Sequence, residues 1–419
     1  MKLRLHTLVL RSDRTATTKR HFPRDPSAMA LPGPMARAAA DMVSSLRIEM
    51  TEVTTKERAD LGRDPTVLGS VLDMPVLLIK PKKKSKLKAT AGTTTSWGIE
   101  AVGAANMADG GRGATVAVLD TGIDPAHQAF ERFSFHDVDS AKKPPQPSQS
   151  LIKNFTPDAG VDRDGHGTHC AGTIFGGDVA GCRIGVATGI ERVLIGKVLG
   201  SKGGSVQAIY RAILWAQENG AHVISMSLGM DFPGFQKALV DQGWPPQKAT
   251  SLALSGYREN IDLFARIGAL AAGAETTVPG TVIVAASGNE SMRPDYTIAA
   301  APPAASGPLI AVGALMQGAP DTKVLGIADF SNDKADIAAP GVDIISAALG
   351  GGLASMSGTS MATPHVAGVA AIVAGRLLAK GKFSAAAVQK EIDRLAVPLE
   401  HLSEDDVGVG LAHTGQKAG

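Results

Sequence analysis

Three residues of this chain are of types that together can break an acyl bond: Asp120, His166 and Ser360. A serine hydroxyl attacks a carbonyl only when a base removes its proton, and histidine is the usual base near neutral pH. A carboxylate buried beside the imidazole fixes its tautomer and stabilises the cation that forms. Asp120 ends the apolar, β-branched run Ala114–Leu119 and precedes Thr121-Gly122. It therefore falls at the carboxyl end of a buried strand, where α/β proteins gather their chemistry. His166 lies between two glycines and opens the small-residue stretch Thr168-His169-Cys170-Ala171-Gly172-Thr173. Ser360 sits in Gly358-Thr359-Ser360-Met361-Ala362-Thr363-Pro364-His365, where a polar loop turns into the apolar run Val366–Ala374. The first turn of a helix carries unpaired N–H groups and the positive end of the dipole, so negative charge developing beside Ser360 is stabilised there. Singly, the three read as a turn former, a loop histidine and an N-cap. Only their combination carries chemistry.

The elements that must position them follow from the pattern of the chain. After Trp97, strands are expected at Ala114–Leu119, Val193–Leu199, Val223–Met226, Val282–Ala286, Leu309–Val312 and Asp343–Ala347, with helices between them, including Val206–Glu218. Alternating strands and helices give an α/β fold with a mostly parallel central sheet covered on both faces. Before Trp97 the chain reads as a small α+β unit over residues 1–80. Its strands are Leu3–Leu10, Leu46–Val53 and Val67–Ile79, the last interrupted at Asp73-Met74-Pro75. Its helices are Met35–Ser45 and a capped Lys56–Leu61. Lys80-Pro81-Lys82-Lys83-Lys84-Ser85-Lys86-Leu87-Lys88 then leads into Ala89–Ser96, so residues 81–96 read as a basic, exposed linker of the kind proteases cut.

Composition narrows the class. A chain of 419 residues has room for one large α/β domain and a small second one. Two cysteines, Cys170 and Cys182, indicate a protein that does not rely on disulfides. The sequence offers no obvious membrane span, the most sustained apolar run being Val366–Gly375. The first residues alternate and carry charges where a signal peptide needs an unbroken apolar core, so a cytoplasmic location is the expectation. Residues 1–90 hold 18 Lys and Arg against 9 Asp and Glu, and the remainder holds 24 against 31. A basic arm on an acidic body is expected to dock onto it through complementary fields. Nucleic-acid binding is the weaker reading, because no aromatic residues interleave with the lysines.

The order Asp, His, Ser with these flanking residues resembles the subtilisin-like serine protease family. Ala117-Val118-Leu119-Asp120-Thr121-Gly122-Ile123-Asp124 resembles its aspartate motif, His166–Thr173 its histidine motif and Gly358–Gly368 its serine motif. The resemblance implies a three-layer α/β fold and a serine endopeptidase. Asp120, His166 and Ser360 would form its catalytic triad. Ala285-Ala286-Ser287-Gly288-Asn289-Glu290 resembles the segment whose asparagine donates to the oxyanion, which gives that role to Asn289 with the Ser360 backbone N–H. Gly203-Gly204 and Ser227-Leu228-Gly229 match the two edges between which an extended peptide adds as a strand. Gly288 and Glu290 would border the pocket for the residue before the cut. The implied partners are a peptide or protein substrate and, by a weaker match of residues 1–80 to the family's propeptide, the chain's own N-terminal domain as intramolecular inhibitor. Neither nucleic acid nor membrane is an expected partner. Self-processing is then expected within 80–96.

The chain departs from the family at several points. About residues 230–278 form an insertion in which Leu254, Tyr257, Ile261, Phe264 and Ile267 recur at helical spacing, which predicts an amphipathic helix packed on the body. Ala129 stands where secreted relatives often carry a calcium-binding aspartate, so a structural calcium is not supported, and no cofactor is expected for catalysis. Neither HExxH nor paired Cys/His at zinc spacing occurs, so no metal ligands are assigned. His169 and His365 are expected to be structural. The catalytic domain is expected to span 97–400, with 401–419 as a tail. The competing reading is a catalytically silent, subtilisin-like peptide-binding module. An α/β-hydrolase esterase is disfavoured by the chain order and by the lack of Gly-x-Ser-x-Gly around Ser360.

Overall fold

The computed structural model describes residues 5–12, 46–87, 94–107, 110–273, 280–318 and 324–416. The chain begins with β1 (Leu5–Ser12), β2 (Leu46–Val53), α1 (Thr55–Leu61), β3 (Val67–Leu72), β4 (Val76–Leu78), β5 (Lys83–Leu87), β6 (Thr94–Thr95) and α2 (Trp97–Ala101). There follow β7 (Thr115–Asp120), β8 (Phe135–Asp137), β9 (Ser150–Asn154), α3 (His166–Phe175), β10 (Cys182–Arg183), β11 (Arg192–Lys197) and α4 (Val206–Glu218). Next come β12 (Val223–Met226), β13 (Leu228–Met230), α5 (Phe232–Asp241), α6 (Pro246–Ala271), β14 (Val282–Ala286) and β15 (Ile310–Gln317). The chain closes with β16 (Leu325–Ile327), β17 (Ile337–Pro340), β18 (Ile344–Ala347), β19 (Leu353–Ser357), α7 (Thr359–Ala379), α8 (Ala385–Leu395) and α9 (Glu404–Val407).

The central sheet runs β16-β15-β14-β12-β7-β11-β9-β8, with β17 also on β15. Every pair in it is parallel except β15 with β16. Its inner strands are apolar without interruption because both faces are covered. On β7, Val116 and Val118 enter the core beneath α3 and α7, while Ala117 and Leu119 enter the core beneath α4 and α6. Val193 and Ile195 against Leu194, and Val223 against Ile224, divide in the same way. The period of two along each strand thus fills two cores and makes three layers. α7 is the axis of one core, buried from Thr359 to Gly375. By length and composition it could cross a bilayer, which the apolar run read from sequence did not reveal. Its lining is instead the body of the fold, with 83% of its most apolar window buried.

The N-terminal unit is an antiparallel sheet β2-β1-β3 with α1. Thr54 caps α1 through a complete capping box with Glu57. The helix expected at Met35–Ser45 lies outside the described residues. The unit sits on the insertion, which forms α5 and α6. α6 does not turn its whole expected apolar stripe inward. Leu254 is exposed, whereas Gly256 and Asn260 are buried against the N-terminal unit. A Cβ at Gly256 would lie 3.3 Å from Leu72, so the small residue lets backbone and helix approach closely. Asn260 Nδ2 donates to Leu72 O at 3.0 Å, Leu72 N–H donates to Glu259 Oε2 at 3.2 Å, and Arg58 pairs with the same carboxylate. Residues after 400, expected as a tail, pack back on the body instead: Leu411 and Ala412 are buried, and Leu411 bridges Val397 and Ala338.

Glu259→Ala removes a charged acceptor from both Arg58 and Leu72 N–H, so the docked sheet is expected to loosen by about 1–3 kcal/mol. Hydrogen exchange at Leu72 is expected to quicken while exchange in β7 and β12 stays unchanged.

Candidate active site

Two of the three sequence-selected groups, Asp120 and His166, pair at the carboxyl edge of the sheet, and Ser360 lies beside them with its hydroxyl on Ile79 O rather than on His166. Asp120 ends β7, between β11 and β12. His166 opens α3 and Ser360 is the second residue of α7, and all three side chains are buried. Nδ1 of His166 lies 2.8 Å from Asp120 Oδ1, and the same oxygen accepts the Thr121 N–H at 2.7 Å. Nε2 of His166 has no hydrogen-bond partner among the described residues. Cys170, one helical turn after His166, ties the two helices together. Its sulfur lies 3.8 Å from His166 Nδ1 and donates to the Ser360 carbonyl at 3.4 Å.

That carbonyl needs a donor. Pro364 stands four residues on and has no N–H, so the helix cannot supply the usual bond. Ser227 Oγ donates to it at 3.1 Å alongside the Cys170 thiol. Ser227, expected at the substrate edge, therefore also moors the Ser360 turn.

The approach of α3 to β7 is set by small residues and by one acid that sequence reasoning did not single out. A Cβ on Gly167 would fall 2.2 Å from Gly122 O, so only glycine allows this contact. Asp162 accepts from Thr121 Oγ1 (2.9 Å), Gly165 N–H (2.9 Å), Thr168 N–H (3.0 Å) and Thr168 Oγ1 (2.6 Å). Burial acts to raise its pKa, but these donors outweigh it and hold the carboxyl below the usual carboxylate range. Its signal in the sequence was a buried-type acid just ahead of Gly165-His166, which nothing local distinguished from Asp164.

Burial alone would lower the pKa of His166, but the Asp120 carboxylate raises it well above 6.5. A thiolate at Cys170 would add to this. Burial pushes that thiol up, so it is neutral near pH 7 and Asp120 is the partner that counts. Burial lowers His169 to about 3 and His365 to about 4. Nε2 of His169 faces the carbonyls of Ile344 and Ala354, and Nδ1 of His365 donates to Met361 O at 2.8 Å. Both rings are neutral spacers.

Asn289 follows β14, and its amide is fixed from one side. Oδ1 accepts from Thr359 N–H (2.8 Å) and Thr359 Oγ1 (2.9 Å), which turns Nδ2 outward to the carbonyl of Lys80 at 3.0 Å. Gly288 N–H donates to Thr359 Oγ1, and exposed Glu290 receives Asn332 Nδ2 at 2.7 Å.

Val76–Lys80 runs through this site as an extended chain. β4 pairs antiparallel with β13, Leu228 facing Leu78 and Gly229 facing Leu77. On its other side Gly204 N–H donates to Val76 O at 2.8 Å. Gly203, at φ +88°, would press a Cβ to 2.6 Å from that oxygen. Ile79 is buried with its Cδ1 against Gly229, and Ser360 Oγ donates to Ile79 O at 3.1 Å. The serine thus meets one carbonyl and the Asn289 amide meets the next. Asp120, His166 and Cys170 place potential ligand atoms within 4.8 Å of one another, but two of them are the acid and the imidazole of this pair. Ala129 is buried on a short turn with its N–H on His127 Nδ1, and Cys170 and Cys182 are both free thiols.

The three histidines are expected to titrate far apart in a solution NMR experiment. His166 should lie above 6.5, and His365 and His169 near 4 and 3. Linkage fixes the signs. The His166 pair stabilises the fold fully below 6.5 and is lost as pH rises through the folded value. The two neutral spacers cost stability as pH falls below 6.5.

Comparison with known proteins gives the family. The subtilase family model (peptidase S8) matches residues 111–410. M-protease of Shouchella clausii is 36% identical over 290 residues, covering 68% of this chain and 60% of that protein. Subtilisin Savinase of Lederbergia lenta is 36% identical over 283 residues, 66% of this chain and 83% of that protein. A thermostable alkaline protease of Halalkalibacterium halodurans is 31% identical over 372 residues, 87% and 81% of the two chains. The chain spans about 60% of the length of M-protease and of the alkaline protease of Alkalihalobacillus alcalophilus. With its family model matched over most of its length and its central sheet mostly parallel, the chain belongs to the subtilase family.

Proposed function

We propose that this protein is a serine endopeptidase in which Asp120, His166 and Ser360 act as the catalytic triad. The observation that carries the reading is the seat of Val76–Lys80: an extended segment paired on both edges, with one carbonyl on Ser360 Oγ and the next on Asn289 Nδ2. A peptide substrate would replace that segment. In its neutral form, reached as pH rises through its raised pKa, His166, oriented by Asp120 through Nδ1, takes the Ser360 proton at Nε2. The serine oxygen bonds to the peptide carbonyl carbon, and the carbonyl electrons move to its oxygen. Asn289 Nδ2 and the Ser360 N–H stabilise that charge. The imidazolium gives its proton to the leaving amine as the C–N bond breaks, and water then releases the acyl group by the same route.

The same seat supports the N-terminal unit as an intramolecular inhibitor. Nucleophile and oxyanion donor face consecutive carbonyls, so neither Ile79 nor Lys80 receives both at once. Release requires a cut in the chain, and the reading places self-processing within residues 80–96.

Ser360→Ala is expected to abolish hydrolysis of a quenched peptide and to leave the precursor at full mass, where the wild type loses its N-terminal piece. Hydrolysis by the alanine variant at the wild-type rate would remove the mechanism. Asn289→Leu is expected to lower kcat by roughly 10²–10³ with little change in KM.

A further inference from the structure

Beyond Lys80 the chain crosses a surface that the catalytic steps do not use. Lys82 N–H donates to Ser357 O at 2.8 Å, and β5 then pairs antiparallel with β19, Lys83 opposite Ser357 and Leu87 opposite Leu353. All five residues of β5 are exposed, so backbone pairing and charge hold it rather than apolar burial. Successive strand residues face opposite ways, and the first two lysines use both directions. Lys83 Nζ lies 3.0 Å from Asp343 Oδ1. Lys84 Nζ donates to Asp164 O at 2.8 Å and lies 3.6 Å from its Oδ1. The two acids therefore flank one edge strand, one on each side of the seated chain. Asp343 is held at φ +51°, a region that residues with a side chain seldom adopt, and its N–H is moored on Ser357 Oγ at 2.8 Å. The residues seated on β19, Lys83–Leu87, follow Ile79 and Lys80, whose carbonyls face Ser360 and Asn289, so what lies on β19 lies downstream of the bond at the serine.

Resting on the endopeptidase reading, we propose that β19 with Asp343 and Asp164 binds the part of a substrate that follows the cut. It selects chains carrying lysine or arginine there. Counted from Ile79, Lys83 and Lys84 are the fourth and fifth residues downstream; counted from Lys80 they are the third and fourth. The favoured substrates are therefore extended segments with basic residues at the third to fifth positions after the cleaved bond. The chain's own lysines fill the surface until a substrate displaces them.

The test uses full-length protein whose activity has reached a steady level. Three quenched peptides share one sequence up to the cut and carry lysine, alanine or glutamate at the third to fifth positions after it. Exposed ion pairs contribute roughly two- to fivefold each, so kcat/KM for the lysine peptide is expected to exceed that for the alanine peptide by about tenfold. The glutamate peptide is expected to be slowest, and the differences should shrink at high ionic strength. In the double variant Asp164→Lys, Asp343→Lys the order of lysine and glutamate peptides is expected to invert, which a merely structural role would not produce. Should that variant fail to fold, the wild-type comparison decides alone. Equal rates on the three peptides would overturn this selectivity and leave the endopeptidase standing, the acids then serving only the chain's own segment. No hydrolysis of any peptide would overturn both.

Discussion

The structure depends on keeping a carboxylate and an imidazole together where almost no water reaches them. Asp120 and His166 each expose about 1% of their side chains, and a charge so buried is tolerable only when paired and hydrogen-bonded. The fold meets that condition by bringing together three backbone termini. The end of β7 carries the carboxylate, the first residue of α3 carries the imidazole, and the start of α7 supplies N–H groups that favour negative charge. Parallel strands make this arrangement natural, because all their carboxyl ends open on the same edge.

Holding the termini in place takes interactions that are not themselves chemical. Asp162 fastens the loop after β7 to the first turn of α3. Ser227 and Cys170 answer the carbonyl that Pro364 leaves unpaired. Thr359 takes up one side of the Asn289 amide and thereby aims the other. Each is a bond to a group that would otherwise be buried without a partner, so position and stability are secured by the same contacts.

What the sequence disclosed divides along a physical line. Asp120, His166 and Ser360 were legible from their residue types at a strand end, between glycines and at a helix start, whereas Asn289 was legible only through the family resemblance of Ala285–Glu290. The parallel strands were legible because burial on both faces leaves an unbroken apolar run. The stripe in α6 was legible only in part. The face that meets the N-terminal unit is made of Gly256, Glu259 and Asn260, which no apolar pattern marks. β5 was hidden more completely. A run of lysines has the composition of a solvated spacer, and its strand conformation comes from the edge of β19 and from Asp343 and Asp164, far away in sequence. Asp162 was hidden because its donors from Thr121 and Thr168 reach it only when the loop closes on α3.

One stretch, from Val76 to Leu87, covers the open side of β13, the loop at Gly204 and the open side of β19. Unpaired strand borders of this kind invite pairing with any extended chain, including neighbouring copies during synthesis. While it stays in place, the stretch keeps a newly made molecule from joining others border to border. Were the stretch to leave, both borders would lie open at once, and an extended peptide seated in its place would cover them again.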